Sequence, residues 1–211
     1  MASVDTDTRA EEESETTTKR RKPHKFHIDN VDRLLSSARQ EMLDPQAIFS
    51  LLPMRVYQHV ADIGCGPGYF TVPLAKYLFD GKVYAIDVQQ GMLDVVKGRL
   101  EKTRLSNVEL VLSKETKVPL NDDSVDGAII VNALHEVTQP TSTLKEMHRI
   151  LKKGGWAAII DWRKEDTEQG PPVEERIARE TARGTAEEAG FKVVSCYNLN
   201  KWNYIILLTR R

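Results

Sequence analysis

The chain has 211 residues and a mass of 23.9 kDa, and its 40% hydrophobic content suits one sizeable core without demanding a second domain. A formal charge of -1 with 29% charged residues offers no global field toward nucleic acid or an anionic membrane, so neither is expected as a partner. Only Cys65 and Cys196 are present, too few and too far apart for a disulfide framework or a cysteine-rich zinc site, and no run of about eighteen apolar residues occurs; a reducing, cytoplasmic setting is expected.

Residues 1–22 set Asp5, Asp7, Glu11, Glu12, Glu13 and Glu15 among Ser and Thr and close on Lys19-Arg20-Arg21-Lys22. With so little apolar material the segment is expected to be a disordered polar tail with a solvated basic quartet. Helical spacing fills residues 23–53. Val31, Leu34, Leu35, Ala38 and Met42 share one face, Asp44 and Pro45 read as a cap and first turn, and Ile48, Leu51 and Leu52 follow. Lying before the first strand, this segment is either a lid over the sheet or cover for an exposed flank. Residues 54–211 make up the principal domain.

Strands are predicted at His59–Ile63, Lys82–Ile86, Val108–Leu112, Val125–Val131, Trp156–Trp162, Phe191–Tyr197 and Tyr204–Thr209, most of them almost continuously apolar. Helices are predicted at Tyr69–Leu78, Gly91–Lys102, Thr141–Leu151 and Val173–Ala189. The alternation argues for an α/β, doubly wound, mostly parallel sheet with helices on both faces. Asn198-Leu199-Asn200-Lys201 is too short for a crossover helix, so the last two strands form a hairpin and the last runs antiparallel.

The first strand runs into Asp62-Ile63-Gly64-Cys65-Gly66-Pro67-Gly68-Tyr69-Phe70, and the second ends in Asp87, 21 residues beyond Gly66. That spacing suits a carboxylate gripping a ribose diol. A dinucleotide turn would carry a third glycine where Tyr69 stands, and Asp62 would repel a pyrophosphate but attract an ammonium group. S-adenosylmethionine combines an amino-acid end, a ribose and an adenine without phosphate, and the turn favours it over a nicotinamide cofactor.

Val60–Phe70 resembles motif I of the class I S-adenosylmethionine-dependent methyltransferases, and Val83–Asp87 resembles their motif II. Residues 125–136 resemble the fourth strand and its loop, and residues 144–155 the helix and turn before strand five. The likeness spans roughly residues 45–210 and is strongest to the small-molecule branch that includes ubiquinone/menaquinone-biosynthesis and arsenite methyltransferases. It implies a Rossmann-like seven-stranded sheet in the order 3-2-1-4-5-7-6. It also implies cofactor contacts: Asp62, Gly64, Cys65, Gly66, Gly68 and Phe70 around the methionine end, Asp87 at the ribose, and Val88 and Met92 beside the adenine. Asn132 completes that set. Where relatives carry an acid for the adenine amine this chain has Lys114, with Glu115 displaced by one residue, so Glu115 or a backbone carbonyl is the expected contact.

Acceptor-side residues belong beyond the carboxyl ends of the strands. Asn132, His135 and Glu136 follow strand four, while Asp161, Trp162, Arg163 and Lys164 end or follow strand five. His135 is the natural proton acceptor, Glu136 its orienting or cation-attracting neighbour, and Asp161 is expected beside them on the border of the acceptor pocket. The bland alternative is that His135 only holds a loop. His24 and His27 with His135 make a weak H-x-x-H pattern, and no metal is expected.

Two cysteines, one within the turn, argue against arsenite as acceptor, and the loop Asn132-Ala133-Leu134-His135 lacks the Asn-Pro-Pro-Tyr pattern of nucleic-acid methylation. The expected activity is methyl transfer by in-line displacement to a small-molecule acceptor, by a monomer or homodimer. The competing reading is a non-catalytic S-adenosylmethionine-binding or protein-interaction module.

Overall fold

The computed structural model describes residues 31–211; the polar tail and the residues from His24 to His27 lie outside the described residues. Three short helices come first: α1 (Val31–Leu34), α2 (Ser37–Met42) and α3 (Pro45–Phe49). The cap read from sequence is present, since the Asp44 carboxylate accepts the backbone N–H of Gln46 at 3.0 Å and Pro45 occupies the first turn. The α/β alternation follows as β1 (His59–Ile63), α4 (Thr71–Tyr77), β2 (Lys82–Asp87), α5 (Gln90–Thr103), β3 (Val108–Leu112), β4 (Val125–Val131), α6 (Pro140–Ile150) and β5 (Leu151–Trp162). The chain closes with α7 (Arg179–Glu188), β6 (Phe191–Asn198) and β7 (Asn203–Arg210).

One seven-stranded sheet runs in the order β3-β2-β1-β4-β5-β7-β6. β7 lies antiparallel to both β5 and β6, as the short connection requires, and the pairs among β1 to β5 are parallel. Both faces are apolar because successive residues of the central strands point to opposite sides. Ala128, Ile130, Ala157 and Ile159 pack toward Leu144 and Met147 of α6 and Ala182 and Ala186 of α7. Ile129, Val131, Ala158 and Ile160 pack toward Ile48 and Phe49 of α3 and Leu74 of α4. The chain leaves β1 in one direction to β2 and β3 and returns on its other side as β4. That reversal opens a crevice beyond the carboxyl ends of β1 and β4, which is where open α/β sheets place ligands.

Two expectations are corrected. β5 begins at Leu151, not Trp156: Leu151 pairs with Val125 and Trp156 with Gly127, so the residues read as a turn bulge out within one strand. Gly127 is required there, because a Cβ would meet Trp156 Cε2 at 2.2 Å. The helix expected over Val173–Ala189 is a single 3-10 turn at Val173–Glu175, an extended Arg176, and then α7. Arg176 leaves helical geometry because its buried guanidinium donates to the carbonyls of Arg163, Glu165, Gln169 and Pro171 and to Thr167 Oγ1, at 2.7 to 3.1 Å.

Candidate active site

The turn after β1 is held by β2. The N–H groups of Gly64 and Cys65 donate to Ile86 O, and the Asp87 carboxylate accepts the N–H of Gly66 at 2.8 Å and that of Gln89 at 2.9 Å. Asp87 is thus oriented by two backbone donors while remaining on the wall of a cavity. Gly64, with φ of 67°, abuts the loop after β4, and a Cβ on it would meet Ala133 Cβ at 2.7 Å. Gly68 serves packing instead: it does not line the cavity, and a Cβ there would press on Val96 of α5 at 3.1 Å.

Asp62, 2% exposed, accepts the Thr71 hydroxyl from the first turn of α4 at 2.7 Å. Burial pushes its carboxyl up to about 7, the Thr71 bond opposing the rise and the Asp87 charge adding to it. Burial likewise pushes the Cys65 thiol upward, so this cysteine is a small apolar wall and no nucleophile. Phe70, Val88, Met92 and Asn132 also line this first cavity. Glu115 lines it too, but its carboxylate accepts both the N–H and the hydroxyl of Thr138, at 3.1 and 2.6 Å, which ties the segment after β3 to the loop before α6.

A second cavity adjoins the first, with Leu34, Arg39, Asn132 and Glu136 lining both. Its walls include His135, Trp162, Gly170, Pro171 and Glu175. His135 sits on a 3-10 turn after β4, its Nδ1 2.7 Å from Asp161 Oδ1 and its backbone N–H donating to Asp161 Oδ2 at 3.1 Å. Its Nε2 lies 3.8 Å from Glu136 Oε1. Burial disfavours the imidazolium, yet the Asp161 charge and hydrogen bond outweigh it and raise the His135 pKa. Asp161 does not border the pocket as expected: fully buried, it lines neither cavity and also accepts the N–H of Trp162, so it stands behind His135 and orients it.

Sequence reasoning missed Leu34 and Arg39, whose helices carry no motif, and Arg176, which stacks on Trp162 at 5.6 Å and holds the loop walling the second cavity. Thr71 was findable, as a hydroxyl in the first turn of the helix after Asp62. Among the described residues no group of three His, Cys, Asp or Glu is placed to hold a metal, and no helix is long and apolar enough to cross a membrane.

The profile of a methyltransferase domain matches residues 61–159. The crystal structure of a SAM-dependent methyltransferase from Aquifex aeolicus superposes with a TM-score of 0.85 at 32% identity, covering 89% of this chain and 100% of that one. A demethylmenaquinone methyltransferase from Geobacillus stearothermophilus is 29% identical over 136 residues, 64% of this chain and 58% of the relative. Another from Bacillus mycoides is 37% identical over 101 residues, 47% of this chain and 43% of the relative. The chain therefore spans about half the length of these two relatives, 58% of one and 43% of the other.

Proposed function

We propose that this chain, which belongs to the S-adenosylmethionine-dependent methyltransferases, methylates a small molecule seated in the second cavity, with His135 as proton acceptor. S-adenosylmethionine, when bound, supplies an electrophilic methyl on a sulfonium. The first cavity fits it by chemistry: the Asp62 carboxylate for the ammonium, Asp87 for the ribose diol, and Val88 and Met92 as apolar walls for adenine. Glu115, engaged with Thr138, serves the adenine end as part of the wall.

The observation that carries the reading is the junction. The two cavities share Asn132 and Glu136, so an acceptor atom in the second can meet a methyl presented from the first without leaving the protein. His135 Nδ1 is committed to Asp161, which leaves Nε2 for the proton that an amine, hydroxyl or acidic C–H acceptor must lose. The acceptor lies among Trp162, Pro171 and Leu34, with Glu136 and Glu175 as the nearby acids, which supports a small, partly apolar molecule. Two free thiols are in keeping with a cytoplasmic setting.

Incubation with methyl-labelled cofactor and pooled metabolites tests this. A labelled small-molecule product is expected, and with that product's precursor as substrate Asp161→Asn should lower turnover by roughly 10²- to 10⁴-fold while changing S-adenosylhomocysteine affinity less than about twofold. Absence of any labelled product, despite cofactor binding, would favour a non-catalytic binding module.

A further inference from the structure

We infer that the acceptor is a hydroxyl compound methylated on oxygen, and that Asn132 selects it through a side-chain N–H left unpaired where the two cavities meet. The inference rests on the reading above, which seats the acceptor in the second cavity with His135 as its proton acceptor. Asn132 directly follows β4 and lines both cavities. Its backbone takes φ of 49°, a left-handed conformation that asparagine adopts more readily than most side chains, and its N–H donates to Ile160 O of β5 at 2.8 Å.

The side-chain amide is held by its oxygen alone. Asn132 Oδ1 accepts Asn203 Nδ2 at 2.9 Å, while Asn132 Nδ2 is buried and has no hydrogen-bond partner among the described residues. Asn203, fully buried at the start of β7, is fixed in turn. Its backbone N–H and that of Trp202 donate to Asn200 Oδ1, each at 2.8 Å, and Asn200 Nδ2 donates to Met42 O at the end of α2 at 2.7 Å. Turning the two amides round would leave both N–H groups of Asn203 Nδ2 orphaned out of reach of solvent, a worse state than an orphaned carbonyl oxygen. The chain of asparagines therefore keeps the unpaired donor on Asn132. Such a donor is costly, and a lone pair on a bound molecule relieves it. The cofactor brings a cationic sulfonium to the junction, which the positive end of an N–H repels, so the partner belongs to the acceptor.

The receiving atom must then give a proton to His135 Nε2, one lone pair to Asn132 Nδ2 and another to the methyl. A hydroxyl oxygen has one hydrogen and two lone pairs and does all three at once. A neutral amine has a single lone pair, a thiol sulfur accepts hydrogen bonds only weakly, and an acidic carbon has no lone pair beyond the one its proton leaves. In the step itself the O–H proton passes to His135 Nε2, the O–CH3 bond forms, and the S–CH3 bond breaks with its electron pair returning to sulfur. The Asn132 N–H holds the negative charge that grows on oxygen as its proton leaves.

The test uses the full chain with pooled metabolites and a cofactor whose methyl carries carbon-13, and NMR of the product reads the atom that received the methyl. Oxygen is expected. A methyl on nitrogen, sulfur or carbon would overturn the inference and leave the methyltransferase reading standing, whereas absence of any methylated product would remove that reading and the inference with it. With the product's precursor as substrate, Asn132→Gly should lower kcat about tenfold and Asn132→Asp about a hundredfold or more, because the carboxylate opposes the growing charge. In both variants calorimetry should give an S-adenosylhomocysteine affinity within about twofold of wild type. Glycine and aspartate both tolerate the left-handed backbone, and thermal unfolding establishes that each variant is folded. Asn203→Leu, which frees the Asn132 amide to turn, should lower kcat less than Asn132→Gly and leave the same cofactor affinity. A loss of S-adenosylhomocysteine affinity in Asn132→Asp as large as the loss of turnover would overturn the inference by showing that the amide serves the cofactor's carboxylate. Unchanged kcat in that variant would overturn it as well.

Discussion

Among the described residues no counter-ion touches the Asp62 carboxyl, which is kept at the cavity wall by one hydroxyl from Thr71, and burial lifts it from the ordinary 3.8 to about 7. The folded protein holds this proton between about pH 4 and 7 and the unfolded chain does not, so Asp62 lowers stability as pH rises through that window and contributes no further change above it. An ammonium ligand selects the ionised form. Affinity for S-adenosylhomocysteine should therefore fall below about pH 7 with uptake of the proton by the free protein, and Asp62→Asn should flatten the profile; calorimetry in buffers of different ionisation enthalpy reads both. Asp62 and Asp87 were legible in the sequence as cavity-wall acids because each stands at the close of an apolar strand, Asp62 one residue from the end of β1 and Asp87 at the end of β2. Arg39 was not, since nothing local distinguishes it from Arg33 on the preceding helix; only the docking of α2 against Tyr69 aims it inward.

At the scale of elements, most strands and helices fell where periodicity put them; the early start of β5 comes from a bulge, and the broken helix after it has a side-chain cause. Local pattern does not report what a side chain will bond to after folding. Val173 to Ala189 reads as one helix, yet Arg176 takes an extended backbone so that its guanidinium can bind the loop from Arg163 to Pro171. That loop carries Gly170 and Pro171 to the second cavity and backs Trp162. Arg176→Met should destabilise the protein by about 1–3 kcal/mol, because several part-buried carbonyls lose a charged donor, and should raise the acceptor KM more than it lowers cofactor affinity. Denaturant unfolding, Trp162 fluorescence and separate titration of the two substrates check this. A cofactor affinity falling as far as the acceptor's would show that the loop supports the whole crevice and not one cavity.

For the whole molecule, the sheet is a two-sided core that seals in the Tyr204 phenol, fully buried, with Oη unbonded among the described residues. Burial and the nearby Asp161 charge both push its ionisation upward, so it stays a neutral hydroxyl. Tyr204→Phe should leave stability unchanged or raise it by up to about 1–2 kcal/mol in denaturant unfolding; a loss above about 1 kcal/mol would show that the hydroxyl has a bonded water. The sequence by itself determined the sheet class, the antiparallel close, the glycine turn and the acids near the ends of β1 and β2, because period, connection length and the identity of residues at a strand's close are local quantities. Only the tertiary structure decided that Asp161 stands behind His135, that Glu115 is tied to Thr138, and that Arg39 and the Arg176 loop wall the crevice. Those facts depend on which distant side chains meet beyond the ends of β1, β4 and β5, and strand periodicity is silent about that.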